Sequence, residues 1–358
     1  MNQQPIRVLI ADDSPFVCRL LASYLQSSPE FVVVGLAHTG KEAVAKTKEL
    51  RPNVITLDLE MPEMDGLEAL RHIMRDNPTP VLVVSGVSGT AATRTHQAID
   101  LGAVDFILKY APGVKIDARQ LRREILAKVR AGAKTRVVRL LDGKSSMQGP
   151  IPSPPRRANG PPPTHVVVVG SSTGGPLALR ELLGALPASF PGAIVLVQHL
   201  PKSFTGPLTS QLARYCPLEV REAETGDRLA AGKVLVAPGG YHLLLRPGYR
   251  VLVQSGPEVN GHCPSIDVTM ESAAASYGGQ TRGVVLTGMG NDGTAGLRSI
   301  RAAGGVTFAQ DAASCVVNGM PQSAIDQGVV DHVATPARIG SLLAAGIQSG
   351  RLTYAIAE

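Results

Sequence analysis

Short runs of Val, Ile and Leu alternate along this chain with stretches in which apolar residues return every three or four positions. Before residue 134 the runs fall at 7–11, 31–36, 53–57, 81–84 and 105–108, and the amphipathic stretches at 15–27, 41–50, 66–75, 91–101 and 117–131. Continuous apolar strands alternating with helices predict a parallel sheet covered on both faces. After residue 165 the rhythm returns, with runs at 166–170, 193–198, 233–237, 284–287 and 305–309 and helical patterns at 177–186, 266–277, 296–303 and 337–345. Two short apolar runs, 242–245 and 250–254, flank Pro247-Gly248 and predict a hairpin inserted as an antiparallel addition.

Between the two patterned regions the rhythm stops. Residues 134–164 hold seven prolines, six Lys/Arg and one acid, against 16 basic and 15 acidic residues before them and 13 of each after them. The net charge of +6 therefore sits almost wholly in a segment unable to bury enough surface to fold alone, where solvation of that charge is the expectation. The predicted organisation is a first domain at 1–133, a Pro-rich basic linker at 134–164 and a second domain at 165–358. Two near-neutral domains with no Trp and 4% aromatics offer no platform for stacking bases, so nucleic acid is excluded as a partner. No apolar run reaches the length of a membrane span, residues 1–15 lack a signal-peptide pattern, and Cys18, Cys216, Cys263 and Cys315 lack ligand spacing. The expectation is a cytoplasmic protein with reduced thiols, no structural zinc and no direct membrane insertion.

Ligands of open parallel sheets bind outside the carboxyl ends of the strands. In the first domain those ends carry Asp12-Asp13, Asp58, Ser85 and Lys109. Singly, each has an ordinary explanation as a cap or a solvated charge. Jointly, acids that repel one another beside a lysine suit a hard divalent ion and a transferred phosphoryl group, with Asp58 as nucleophile.

The strings Leu9-Ile10-Ala11-Asp12-Asp13-Ser14 and Leu57-Asp58-Leu59-Glu60-Met61-Pro62-Glu63-Met64-Asp65-Gly66 resemble the receiver domain of response regulators. The resemblance covers residues 5 to about 130 and implies a flavodoxin-like (βα)5 fold. It also implies phosphorylation of Asp58 and Mg²⁺ held by Asp12, Asp13, Asp58 and the backbone carbonyl of Glu60. Ser85, Phe106 and Lys109 would be the switch positions. Receivers usually have Pro after that lysine; here Tyr110 follows, and Pro112 comes two later.

The second domain opens with Val166-Val167-Val168-Val169-Gly170-Ser171-Ser172-Thr173-Gly174-Gly175-Pro176, a strand forced into a sharp turn. Gly170-x-Ser172-x-Gly174 fits a nucleophile elbow, which exposes a hydroxyl beside backbone N–H groups. The spacing is neither GxGxxG nor a P-loop. A base is then needed, and His199 closes the strand expected beside the serine strand. His242 and His262, in the hairpin and a loop, are either substrate-facing or merely exposed, and His332 reads as packed. Asp292, in a Gly-rich loop after another strand, completes the chain order Ser172, His199, Asp292.

Those strings occur with Gln198-His199-Leu200-Pro201, Ala237-Pro238-Gly239-Gly240-Tyr241-His242, Leu286-Thr287-Gly288-Met289-Gly290-Asn291-Asp292-Gly293 and Ser314-Cys315-Val316-Val317-Asn318-Gly319-Met320-Pro321. The whole resembles the chemotaxis protein-glutamate methylesterases, a receiver joined to a doubly wound catalytic domain. That resemblance implies hydrolysis of glutamyl methyl esters, and deamidation of glutamines, on methyl-accepting chemoreceptors. The esterase needs no cofactor, and a chemotaxis sensor histidine kinase supplies the phosphoryl group. Thr173 and the Met289 amide would lie at the oxyanion. In the family the unphosphorylated receiver covers the active site. The loop Asn260-Gly261-His262-Cys263-Pro264-Ser265 departs from the family, which often has arginines at Gly261 and Cys263. Two rivals stay open: a serine hydrolase for a different acyl group, and a signalling adaptor that only binds partners.

Overall fold

The computed structural model describes residues 4–109, 118–135, 160–346 and 353–354. Most of the predicted linker, and Tyr110 and Pro112, lie outside the described residues. The chain divides into two compact units, residues 1–147 and 148–358.

In the first unit, strands β1 (Ile6–Ala11), β2 (Phe31–Ala37), β3 (Val54–Asp58), β4 (Val81–Ser85) and β5 (Asp105–Leu108) alternate with helices α1 (Pro15–Gln26), α2 (Gly40–Leu50), α3 (Gly66–Asp76), α4 (Gly89–Asp100) and α5 (Ala118–Lys134). All pairings are parallel in the order β2-β1-β3-β4-β5, the flavodoxin-like order. Residues of β3 and β4 are buried on both faces, which is why those strands read as unbroken apolar runs. Ser14, Thr39, Asp65 and Ser88 each cap a helix with a side-chain oxygen, so four of the five helices start at a polar residue after a strand-end loop.

Gly66 opens α3 against the end of β3. A Cβ there would lie 2.0 Å from the Asp58 carbonyl oxygen and 2.7 Å from Leu59 Cα, both backbone atoms with no freedom to yield. Gly66→Ala is expected to destabilise the receiver by about 1–3 kcal/mol, seen as an earlier receiver transition in calorimetry.

The second unit is built on β6 (Val166–Ser171), β7 (Ala193–Gln198), β8 (Glu219–Glu222), β9 (Lys233–Val236), β10 (His242–Arg246), β11 (Arg250–Gln254), β12 (Thr281–Val285), β13 (Val306–Gln310), β14 (His332–Ala334) and β15 (Thr353–Tyr354). Its helices are α6 (Gly175–Gly184), α7 (Lys202–Ala213), α8 (Ile266–Tyr277), α9 (Thr294–Ala302), α10 (Gly319–Asp326) and α11 (Pro336–Ala344). Among the described residues the main sheet has the order β15-β14-β13-β12-β6-β7-β9-β8, with every pairing parallel. The expected hairpin β10-β11 forms, as an antiparallel two-stranded ribbon separate from the main sheet. It packs on α8 instead, where Ser272 and Ser276 bond the Leu245 backbone and Thr269 bonds the Leu243 carbonyl.

Strand order reverses where β6 sits between β7 and β12. Residues Val166 to Val169 are completely buried, and both neighbours end level with them. The loops after β6, β7 and β12 therefore emerge together at the carboxyl edge, the usual ligand crevice of such sheets. No helix among the described residues is long and apolar enough to cross a membrane.

Candidate active site

The sharp turn after β6 has a physical cause. Gly174 adopts φ +77°, a Cβ on Gly175 would lie 1.9 Å from the Gln198 side-chain oxygen, and Pro176 falls in the first turn of α6. Ser171 stands in register with Gln198, and the His199 amide donates to the Ser171 carbonyl at 3.1 Å. Ser172 and His199 thus follow one another across two paired strand ends, as the strand order requires. Gln198 stiffens the junction, accepting from Ser171 Oγ at 2.6 Å and donating to the Ser172 carbonyl at 2.8 Å.

Asp292 reaches this edge from the β12–α9 loop. His199 Nε2 donates to its Oδ2 at 2.8 Å, which leaves His199 Nδ1 buried without a hydrogen-bond partner among the described residues. Sequence pattern alone does not give what holds Asp292. Its Oδ2 also accepts from the Ile266 amide at 2.8 Å, and its Oδ1 from Ser265 Oγ at 3.0 Å and the Asp267 amide at 3.1 Å. The acid therefore caps the N-terminus of α8, where exposed amides and the helix dipole favour an anion. Burial alone would raise its carboxyl. The hydrogen bond and charge of His199, with the two amides, outweigh it and hold Asp292 well below the usual carboxylate range.

The other predicted positions are here too. Thr173 is buried and Met289 half-buried, and their backbone N–H groups make no hydrogen bond among the described residues. Met289 belongs to a loop held against the end of β6: a Cβ on Gly288 would lie 2.8 Å from Ser172 Cβ. The Thr287 hydroxyl donates to the Thr173 carbonyl at 2.9 Å.

Two histidines left ambiguous by the sequence take definite places. His242 is buried, not exposed: its Nε2 donates to the Pro257 carbonyl at 2.9 Å and its Nδ1 accepts from the Ser265 amide at 3.3 Å. His262 lies flat on His199, with ring centroids 3.6 Å apart and planes 11° from parallel. It sits just past a two-residue turn, Asn260-Gly261, in which both residues have positive φ and Val259 and His262 exchange both backbone bonds. The Asn-Gly pair is itself a sequence signal for such a turn. His332 is packed on Phe308, as expected.

In the first unit, carboxylate oxygens of Asp12, Asp13 and Asp58 lie within 4.8 Å of one another. Lys109 Nζ is 2.5 Å from Asp58 Oδ2 and 3.1 Å from Asp12 Oδ2. Burial pushes the Asp58 carboxyl above its ordinary value despite Lys109, and nearby Asp12 adds to that. Three clustered acids with one lysine suit an added cation, which is the donor set a hard divalent ion takes. Glu60 enters through its backbone, its amide donating to Asp58 Oδ1 at 3.2 Å, while its side chain is exposed. A cavity of about 360 Å³ opens beside this cluster, lined by Asp58, Ser85, Lys109 and a residue the sequence did not single out, Arg94. Arg94 bonds the Leu59 carbonyl and Asp65, both at 2.9 Å. Ser85 is buried and accepts from Thr95 of α4 at 2.6 Å. Phe106 is buried, with the Lys128 ammonium 5.1 Å above its ring and bonded to its carbonyl.

A hollow of about 440 Å³ in the second unit, lined by Phe190, Pro191, Leu218 and Gly232, lies at the amino ends of β7, β8 and β9. It lies at the opposite edge of the sheet from Ser172, which follows the carboxyl end of β6.

Residues 167–343 match the CheB methylesterase family and residues 8–121 the response regulator receiver domain family. The chain is similar to a protein-glutamate methylesterase/protein-glutamine glutaminase of Koribacter versatilis, 41% identical over 96% of both chains. It is 43% identical to one of Geobacter metallireducens over 93% of this chain and 94% of that one. The crystal structure of the Thermotoga maritima CheB methylesterase catalytic domain matches 51% of this chain and 98% of its own, at 40% identity and a TM-score of 0.50.

Proposed function

The chain belongs to the protein-glutamate methylesterase/protein-glutamine glutaminase family, and on that premise we propose a Ser172–His199–Asp292 hydrolase gated by phosphorylation of Asp58. Its substrates are glutamyl methyl esters, and glutamines, of methyl-accepting chemoreceptors. The phosphodonor is a chemotaxis sensor histidine kinase. The observation that carries the reading is the Asp292 carboxylate seated on the N-terminus of α8 and bonded to His199, at the strand end beside Ser172.

Ser172 Oγ attacks the ester carbonyl while His199 Nδ1, the ring nitrogen left open by Asp292, takes the hydroxyl proton. The Thr173 and Met289 amides receive the developing oxyanion. The proton passes from His199 to the departing methoxide, and methanol leaves. Water then cleaves the acyl-enzyme with His199 again as base, freeing Ser172 and a glutamate carboxylate. A glutamine follows the same course with ammonia as leaving group, and this esterase chemistry needs no cofactor.

In the receiver, Asp12, Asp13 and Asp58, with the Glu60 carbonyl, would hold Mg²⁺, which neutralises charge developing on the phosphoryl oxygens. Lys109 does the same from the protein side, and Ser85 and Phe106 carry the phosphorylated state outward. The linker at 134–164 joins a receiver at 1–133 to a catalytic domain at 165–358 in this reading. The test is methanol release from methylated receptor membranes, with and without acetyl phosphate plus Mg²⁺. Release that rises with the phosphodonor supports the proposal; no release despite confirmed Asp58 phosphorylation sinks it.

A further inference from the structure

Behind the candidate triad stands a second buried acid for which the mechanism has no use. Asp267 lies in the first turn of α8 and is 5% exposed. Its Oδ1 accepts from the Gly293 amide at 2.9 Å and the Gly296 amide at 2.7 Å, at the N-terminus of α9. Asp292, just before α9, caps α8, and Asp267, at the start of α8, caps α9. The two carboxylates are exchanged between two helix N-termini, so neither helix start moves without the other.

Asp267 Oδ2 has a further partner. Asn260 Nδ2 donates to it at 2.9 Å. Asn260 is the first residue of the turn that lays His262 on His199, and it holds φ +54°. One carboxylate thus touches the loop that carries the triad acid and the turn that covers the triad imidazole. We propose that Asp267 is a positioning residue for the esterase reaction, locking the Asp292 loop and the Asn260–His262 turn into one unit around His199.

The lock needs the carboxylate ionised, because all three contacts to its oxygens are donors. Burial, with the Asp292 charge adding to it, raises its carboxyl to about 6, against a partial pull-back from the Gly296 and Gly293 amides. The ionisable groups around it are Asp292 beside it, His199 and His262 beyond, and His242 behind Ser265. As pH falls through that value, Asp267 gains a proton and loses acceptor capacity toward Asn260. Asp267→Asn imitates this protonated form at every pH.

This inference rests on the proposed esterase reading, and the experiment separates the two. Full-length wild type, Asp267→Asn, Asn260→Gly and the double variant are assayed for methanol release between pH 5.5 and 8, with Ser172→Ala as the blank. Glycine at 260 removes the amide while tolerating the positive φ. At pH 8 each single variant is expected to turn over roughly tenfold slower, and the double variant no slower than Asp267→Asn, since both cut one link. From pH 8 to 5.5 wild type should lose roughly threefold more of its rate than Asp267→Asn, which has no carboxyl left to titrate. Ring-proton NMR of His199 gives a readout independent of any substrate. The upfield shift imposed by the stacked His262 should weaken in both single variants, and in wild type at pH 5.5. Additive losses, an unchanged acid limb, or an undisturbed His199 shift in Asn260→Gly overturns the proposal. Wild type inactive with the NMR shifts behaving as described overturns the esterase reading alone.

Discussion

Ser172→Ala is expected to lower methyl-ester hydrolysis by roughly six orders of magnitude and Asp292→Asn by roughly four, and only the second should also destabilise the fold. Ser172 is half-buried, and its neighbours Gln198 and Thr287 bond its backbone, so alanine removes the proposed nucleophile and little else. Its unfolding transition should stay within about 0.5 kcal/mol of wild type. Asp292 accepts four hydrogen bonds at 1% exposure. An amide there keeps one acceptor oxygen and turns an NH₂ toward either the His199 Nε2–H and Ile266 N–H pair or the Ser265 and Asp267 pair. In the first case His199 must shift its proton to Nδ1, the nitrogen that has to accept from Ser172. In either case a buried amide of α8, Ile266 in the first and Asp267 in the second, loses its acceptor, at about 1–3 kcal/mol. Methanol release and calorimetry on the same samples therefore distinguish the two variants. An Asp292→Asn enzyme retaining more than a few per cent of the wild-type rate would remove Asp292 from the triad.

That contrast also marks how far the sequence could be read. Ser172, His199 and Asp292 were legible because a parallel sheet sends its loops to one edge, and because β7 was expected beside β6. Legible too were the positions of Asp12, Asp13, Asp58, Ser85 and Lys109, each one or two residues past an apolar run. Asp267 was not. In sequence it is an acid in the first turn of a helix, which the dipole alone explains, and its meaning appears only when α9 is brought against α8. Arg94 and Thr95 were hidden similarly, on a helix face whose neighbour is a strand end.

The elements that escaped did so for local reasons. Strand β8 is Glu-Val-Arg-Glu, half-buried at a sheet edge, and carries no apolar run. Helix α7 contains Gly206 and Pro207, and its stripe is blurred. Strand β14 is three residues long and α10 opens Gly-Met-Pro, too little for a period to show. The hairpin was legible from two short apolar runs around Pro247-Gly248, but such runs say that two strands pair, not which layer receives them.

In the receiver, Asp58→Asn should abolish the rise in esterase rate caused by acetyl phosphate plus Mg²⁺, and Ser85→Ala should lose most of that rise while still being phosphorylated. The first follows from the nucleophile. The second is a question of magnitude. A tenfold change in rate needs about 1.4 kcal/mol of difference between the two receiver states. The buried Ser85 hydroxyl donates to the Gly86 carbonyl at 3.1 Å and accepts from Thr95. Turning that donor to a phosphoryl oxygen on Asp58 exchanges a neutral hydrogen bond for a charge-assisted one, a gain of about 1 kcal/mol. It also takes from Thr95 the acceptor that anchors it toward β4, so α4 registers the change. The Lys128 ammonium above Phe106 opposes any outward swing of that ring at a further cost of about 0.5–2 kcal/mol. Lys128→Met, which removes that contact, is therefore expected to shrink the stimulated ratio by raising the unstimulated rate, whereas Ser85→Ala shrinks it with the unstimulated rate unmoved. If both variants shrink the ratio with the unstimulated rate unmoved, Phe106 is no part of the switch and Ser85 acts through α4 alone.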